Sequence, residues 1–307
     1  MVSITNIKRS SNDINLTKSK FKKLQSMVPN QGHKIMSFEM KGVNYSLANA
    51  IRRVLTNELP MKHMTVSLTS IKSTDKYIID DVIHSRLEMI PIPQDIPLGT
   101  EMYLAFENKE DTYCDVLASE IKLKSNGSEI KNMMKNIPLC SLNAQHSLSV
   151  QDIVVAESYG YNNARVSPAR IEYEIINHDM TQSSIASDPN EFRFLIESPP
   201  CIDPDWMMKT TILELTRRLD AIDRSNYVVE FGIYKLLIPG ETHTIGRLLS
   251  RYIFDLVPSI EYVHMRITHP SINECVLDVK HAEAPKLVEA AITEIKKDLL
   301  AIAKCFK

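Results

Sequence analysis

SLANAIRRVLTNEL, running from Ser46 to Leu59, and THTIGRLLSRYIF, running from Thr242 to Phe254, decide how this chain is read. Both follow a strand-like apolar segment and start behind a residue able to cap a helix. Each then meets a proline, Pro60 or Pro258, ahead of a new strand-like run. In the first copy Leu47, Ala50, Ile51, Val54 and Leu55 recur at helical spacing behind Ser46, which defines one buried stripe. In the second, Thr242 is placed to cap a helix carrying Ile245, Leu248, Leu249, Tyr252 and Ile253. The pair predicts two related half-units in one polypeptide, each burying its helix against the other.

Working outward, Lys34 to Lys41 (KIMSFEMK) alternates as a half-buried strand in front of the first helix. On that helix Asn49, Arg52, Arg53 and Asn57 lie off the apolar stripe. The two adjacent arginines point about 100° apart, so they cannot both serve one partner. After Pro60, Thr65 to Ile71 reads as a strand, and Asp80 to Pro93 (DDVIHSRLEMIPIP) as a short helix with Val82, Ile83, Leu87 and Ile90 on its apolar face. Gln94 to Val166 holds short strand candidates, among them Met102 to Phe106 and Glu120 to Leu123, separated by turn signals at Pro97, Gly99, Asn126 and Gly127. Strands return at Arg170 to Ile176 and Glu191 to Glu197, and Asp205 to Ile222 reads as a helix buried through Met208, Ile212, Leu215, Leu219 and Ile222. Beyond a boundary at Asp223 to Asn226 a β-β-helix pattern begins: Val228 to Ile238 is strand-like, Pro239 and Gly240 turn, and the second signature helix follows. Strands at Tyr262 to Ile267 and Glu274 to Val279 flank a turn at His269 and Pro270. A long helix from Ala284 to Lys307 follows, with Pro285 in its first turn and an apolar stripe that includes Ile292, Ile295 and Leu299.

Composition narrows the function. The chain has 307 residues, 44% apolar and 24% charged, enough to bury a sizeable core. A net charge of -2 lacks the basic footprint of an autonomous DNA-binding protein. The local exception is Lys8 to Lys34, where Lys8, Arg9, Lys18, Lys20, Lys22, Lys23 and Lys34 face only Asp13; a solvated arm is the plain reading, a phosphate or acidic-partner contact the other. The five cysteines are scattered without a CxxC, which points to reduced thiols inside a cell. No glycine loop for a nucleotide phosphate occurs, and Asp75, Asp80 and Asp81 flank element ends rather than forming a Mg²⁺-holding cluster. His243, with Glu241 nearby, has no nucleophile motif beside it, and His84, His264, His269 and His281 are isolated. No apolar run reaches the roughly 18 to 20 residues that span a bilayer. No catalytic residue, cofactor-binding residue or metal ligand is expected.

Phe38 to Pro60 (FEMKGVNYSLANAIRRVLTNELP) resembles the signature of the α-like subunits of multisubunit DNA-directed RNA polymerases. DDVIHSRLEMIPIP, SPARIEYEI, and FRFLIES leading to MMKTTILELTRRLDAI are similar to later parts of the larger α-like subunit. His243 to Leu249 (HTIGRLL) resembles the HTLGNLL helix of the smaller one, with Arg247 in place of the usual Asn. The resemblance implies both subunits fused head to tail, as in some large cytoplasmic DNA viruses. The expected fold is α+β: two α-subunit-like dimerisation units paired intramolecularly, each a sheet plus helices, with a β-rich domain inserted in the first. The expected parts are a basic arm with the first strand (1–33), a discontinuous large unit (34–72 and 168–223), the insertion (73–167) and a small unit (226–307).

That resemblance also implies a non-catalytic assembly subunit. Its partners would be the two large catalytic polymerase subunits, which hold the Mg²⁺, together with small polymerase subunits, and DNA or RNA would be met only through the complex. The chain itself would be a monomeric pseudo-heterodimer within a hetero-oligomer, without a membrane contact. It would work inside the cell, in host cytoplasm and virion if viral, in the nucleus if cellular. Asn49, Arg52, Arg53, Arg86, His243, Thr244, Gly246 and Leu248 are expected at subunit interfaces, and Leu47, Ala50, Ile51, Val54, Leu249, Ile292, Ile295 and Leu299 in the intramolecular dimer core. Cys114 and Cys140 are too few for the zinc loop that some relatives carry in the insertion. The alternative is a stand-alone nucleic-acid-binding module using the basic arm; a hydrolase built on His243 is the third reading.

Overall fold

In the computed structural model, which describes residues 2–13, 32–125, 128–130, 137–167, 169–176, 189–269 and 271–306, the chain opens with β1 (Ser3–Ser11), β2 (Lys34–Lys41) and α1 (Tyr45–Arg53). The last turn of α1 passes into a π-helix, Val54–Glu58. There follow β3 (Pro60–Thr65), β4 (Ile71–Ser73), α2 (Asp80–Met89), β5 (Glu101–Glu107), β6 (Cys114–Leu117), β7 (Lys122–Ser125), β8 (Ser128–Ile130), β9 (Pro138–Leu142) and β10 (Ser147–Tyr159). Next come β11 (Arg170–Ile175), β12 (Glu191–Ser198) and α3 (Pro204–Asp220). The chain ends with β13 (Tyr227–Glu230), β14 (Ile233–Pro239), α4 (His243–Leu256), β15 (Tyr262–Ile267), β16 (Glu274–Lys280) and α5 (Ala284–Ala303).

Strand order reveals a repeat. The first sheet runs β1-β2-β12-β11 and the last runs β13-β14-β16-β15, each antiparallel throughout. Each is built by the same path: hairpin, helix, hairpin, helix. In the front path, β3 to β10 with α2 lie between α1 and β11. They form their own sheet, β3-β10-β5-β7-β8 with β4 on β10, and a separate β6-β9 ribbon.

The apolar stripes explain what packs where. Met36, Phe38 and Met40 of β2 alternate inward, and β12 answers with Phe192, Phe194 and Ile196. Helix α1 packs against α4, and α3 against α5, so each helix meets its counterpart from the other path. One hydrophobic cluster therefore runs from Met36 to Phe306 through both paths, and it contains Leu47, Ala50, Ile51, Val54, Leu249, Ile292, Ile295 and Leu299. A fully buried leucine or isoleucine contributes roughly 1.5–3 kcal/mol, so this shared interior is the main stabilising term between the paths. One ring contact crosses the same seam: Phe306, after α5, stands edge-on at 5.2 Å to Phe38, which itself stacks on Phe194 within the front sheet at 5.2 Å. A second cluster, Met64 to Val155, belongs to the intervening strands. The change of core falls inside β3, between Met61 and Met64, ahead of the expected 72/73 boundary.

Several local expectations are corrected. Asn44, not Ser46, caps α1, its side chain accepting the Leu47 N–H at 2.9 Å. Thr242 stands at the start of α4 but makes no side-chain capping bond. Thr65 to Ile71 is not one strand: β3 ends at Thr65, and Ser67, accepting the Thr69 N–H, starts a 3-10 turn over Leu68–Ser70. Val82 is exposed rather than on the buried face of α2. The stretch Val228 to Ile238 is a hairpin, turned at Phe231 and Gly232. Helix α5 stops at Ala303, although Phe306 remains buried beyond it. Lys18, Lys20, Lys22 and Lys23 of the basic arm, the Asn126–Gly127 turn and Pro270 lie outside the described residues.

Candidate subunit-docking site

The two off-stripe arginines of α1 part company, as adjacent residues on a helix must. Arg52 stays on the half-buried outer side, its guanidinium donating twice to the Asn49 side-chain oxygen at 3.1 and 3.0 Å. Arg53 turns toward the other path: its Nε donates to the Thr244 hydroxyl at 2.8 Å, and its fork lies 3.1 Å from Glu58. The Thr244 hydroxyl in turn donates to Glu58 at 2.6 Å.

Glu58 and Arg218 complete a charged knot. Arg218, on the last turn of α3, donates to Glu58 at 2.6 Å and through Nε to Glu241 at 2.8 Å. Its other fork nitrogen also reaches Glu241 at 2.5 Å. Side-chain exposure is only 12% for Arg218, 8% for Glu58 and 10% for Glu241. Burial opposes the charge on Arg218, but the hydrogen bonds and attraction of Glu241 and Glu58 outweigh it and raise its pKa further above the ordinary arginine value. Two arginines and one glutamate come from the front path, the second glutamate from the loop before α4, so the charges balance only when the paths are together.

The π-helix places this knot. Widening the last turn frees backbone carbonyls, and both are taken by the chain returning from the insertion: Tyr161 N–H donates to Asn57 O at 3.0 Å and the Ser167 hydroxyl to Thr56 O at 2.7 Å. Gly160 is required here, because a Cβ on it would come within 2.9 Å of the Asn57 Cα. Above the knot opens a polar cleft of about 440 Å³, walled by the stacked Tyr159 and Tyr161, by the Glu214–Arg217 pair on α3, and by Gly240 to Thr242 with Asn273. It thus draws on the front path, the insertion and the back path at once.

Other expected interface residues lie elsewhere. Arg86 on α2 is exposed, and its guanidinium donates to the Leu139 carbonyl of the insertion. His243 is exposed at the first turn of α4. Thr244, Gly246 and Leu248 are buried inside the chain rather than open to an outside subunit: Thr244 bonds Glu58 of the front path, Gly246 lies against the back sheet, and Leu248 belongs to the shared hydrophobic cluster. Gly246 sits under Met265 and Cys275, where an added Cβ would meet the Met265 side chain at 2.4 Å. Glu58, Arg218 and Glu241 were not legible as a site, since their partners are distant in the chain and no local spacing marks them. Cys114 and Cys140 lie on the paired β6 and β9 but are not opposite one another, and burial pushes the Cys140 thiol up to about 11. Asp75 accepts the N–H groups of Tyr77 and Asn143, which hold its carboxyl below the usual range. Among the described residues no group of three His, Cys, Asp or Glu side chains is placed to hold a metal ion, and no helix is long and apolar enough to cross a membrane.

Comparison with known proteins adds a family. Residues 37–219 match the family described as RNA polymerase Rpb3/Rpb11 dimerisation domain. A protein of African swine fever virus named DNA-directed RNA polymerase RPB3-11 homolog is 24% identical, over 88% of this chain and 84% of its own length. DNA-directed RNA polymerase subunit Rpo3 of Pyrococcus furiosus is 28% identical over 45% of this chain and 54% of its own. A Dictyostelium discoideum protein named DNA-directed RNA polymerases I and III subunit rpac1 is 31% identical over 32% of this chain and 27% of its own.

Proposed function

The chain belongs to the RNA polymerase Rpb3/Rpb11 dimerisation-domain family, and on that premise we propose that it is the assembly platform of a multisubunit DNA-directed RNA polymerase. In this reading the front path is the larger α-like unit, the back path the smaller one, and the two form a built-in heterodimer that nucleates binding of the two large catalytic subunits. Chemistry, Mg²⁺ and nucleotides belong to those companions. The observation that carries the reading is the pairing of like with like: α1 on α4 and α3 on α5, over one hydrophobic interior. The viral relative, whose name joins both subunit labels, supports a fusion along most of the chain.

Fusion has a physical use. Separate units must find each other at cellular concentration, whereas a tether holds them at an effective concentration on the order of millimolar. Docking of the large subunits is assigned to what the pairing leaves outside: Asn49 and Arg52 on α1, Arg86 on α2 and His243 on α4. Arginine suits such a surface because its planar fork makes several hydrogen bonds at once.

The test is capture of the tagged full chain from cells that express the whole polymerase. The expected result is recovery of both large subunits by the unaltered chain and a loss of about tenfold or more with Arg52→Glu, whose fold stays intact. Arg53→Glu is unsuitable for this purpose, because Arg53 is part of the internal knot. A chain that recovers no large subunit yet binds DNA tightly with a steep salt dependence would instead be the stand-alone nucleic-acid module.

A further inference from the structure

The two sheets have four edge strands, and they are not alike. Edge β1 carries Lys8 and Arg9 and a register shift between Thr5 and Lys8, with Asn6 at φ 55°. Edge β11 exposes Arg170, Glu172 and Glu174, and β15 exposes His264 and Arg266. Charges and bulges of this kind keep an edge from pairing with other chains. Edge β13 has neither: its sequence is Tyr-Val-Val-Glu, and its one charge, Glu230, is occupied by Lys235 on β14. Val228 and Val229 are 52% and 55% exposed.

The tip beside this edge is stranger still. Phe231 and Gly232 hold φ of 52° and 76°, the two positive values that a type I′ hairpin turn requires. Asn, Asp or Gly fits the first of these positions, whereas a bulky side chain there is strained. Phe231 is also 97% exposed, so among the described residues nothing offsets either the strain or the wet aromatic surface. The hairpin register supplies a second fact. Glu230 closes the turn opposite Ile233, and Asn226 receives the Leu237 N–H at 3.2 Å, so alternate residues bond to β14 and the Val229 N–H and C=O face away from the sheet.

We infer that the β13 edge with its Phe231 tip is a docking strip for an extended, apolar-rich segment of a companion protein chain, which adds beside β13 as a fifth strand while an apolar pocket of that companion covers Phe231. Water serves the outward Val229 groups in the free chain, and once that edge is covered another backbone replaces it, which a lipid tail or a small apolar ligand does not. A second copy fits poorly, because two four-residue edges fall short of the roughly 1,000 Å² that a specific interface buries. The inference rests on the platform reading, in which companions exist.

Hydrogen exchange at the Val229 amide tests it, measured in the full chain alone and in the complex isolated through a tag on that chain, with Phe231→Asn and Val229→Pro made in parallel. The expected result is exchange at least about tenfold slower in the complex, and about tenfold poorer retention of one companion with either variant. Phe231→Asn keeps or raises the melting temperature of the free chain, since Asn suits the turn, and Val229→Pro removes an N–H that the β14 pairing does not use. A complex that retains every companion with both variants, with Val229 unprotected, overturns the strip and leaves the platform reading intact. Failure to recover any companion with the unaltered chain overturns the platform reading and the strip together. Protection that grows with concentration of the free chain assigns the edge to self-association and also overturns the proposal.

Discussion

The front and back paths share one order of strands and helices, yet they differ wherever that order does not matter for the interior. Between the first helix and the second hairpin the front path carries a β-rich body, while the back path crosses the same gap from Val257 to Glu261. Helix α1 ends in a π-turn that grips the returning insertion; α4 ends without one. The front path brings Arg53, Glu58 and Arg218 to the seam, the back path Glu241 and Thr244. The lesson is that the apolar stripes define a unit able to pair, and the unequal polar groups define which surfaces match. Hydrophobic stripes alone are non-directional, so a charged knot that balances only in the closed pair is the natural source of register.

Arg218→Ala breaks the comparison most severely. It leaves Glu58 and Glu241 buried with one compensating arginine between them, and a loss of about 3–5 kcal/mol is expected in urea unfolding. Adding Glu241→Ala should recover part of that loss; strict additivity of the two would show that the residues do not act as a pair. Gly160→Ala comes next, at about 1–3 kcal/mol, because its Cβ meets the backbone of the π-turn. Limited proteolysis should then release the insertion earlier while both paths stay closed. Asn44→Ala is expected to cost about 1 kcal/mol, since it removes the α1 cap and the 3.0 Å bond from Asn44 to Asp255 across the seam. The smallest change in stability, within about 0.5 kcal/mol, is expected for Arg52→Glu, read by thermal melting, although its effect on capture of companions is large.

Much of the repeat was legible because it rests on periodicity. The stripes of α1, α4, α3 and α5 are apolar at helical spacing over long enough runs for tertiary packing to follow them, and β2, β11 and β12 alternate. The hairpin at Phe231 was not, because the turn is made by a residue type that normally continues a strand. Nor was the π-turn, since an extra residue per turn leaves no mark in a stripe that stays apolar through Val54 and Leu55. Asn44 lost to Ser46 as the expected cap because both residue types suit the role and only the helix start decides between them. The site divides the same way. Asn49 and Arg52 announce themselves by lying off a stripe, whereas Glu58, Arg218 and Glu241 matter through contacts that only the fold creates.

The chain supplies its own probes for the closed pair. Trp206, the sole tryptophan, packs against the shared core from α3 in the front path. Cys275 lies buried on β16 in the back path, its thiol pushed up to about 12 by burial, so near neutral pH it stays a protonated, unreactive group until the structure opens. Unfolding the full chain in urea while following Trp206 fluorescence and Cys275 labelling in one titration compares the two paths directly. Coincident midpoints are predicted, because neither path keeps its interior once the other leaves; two separate midpoints would mean that each closes on its own and would contradict the pairing.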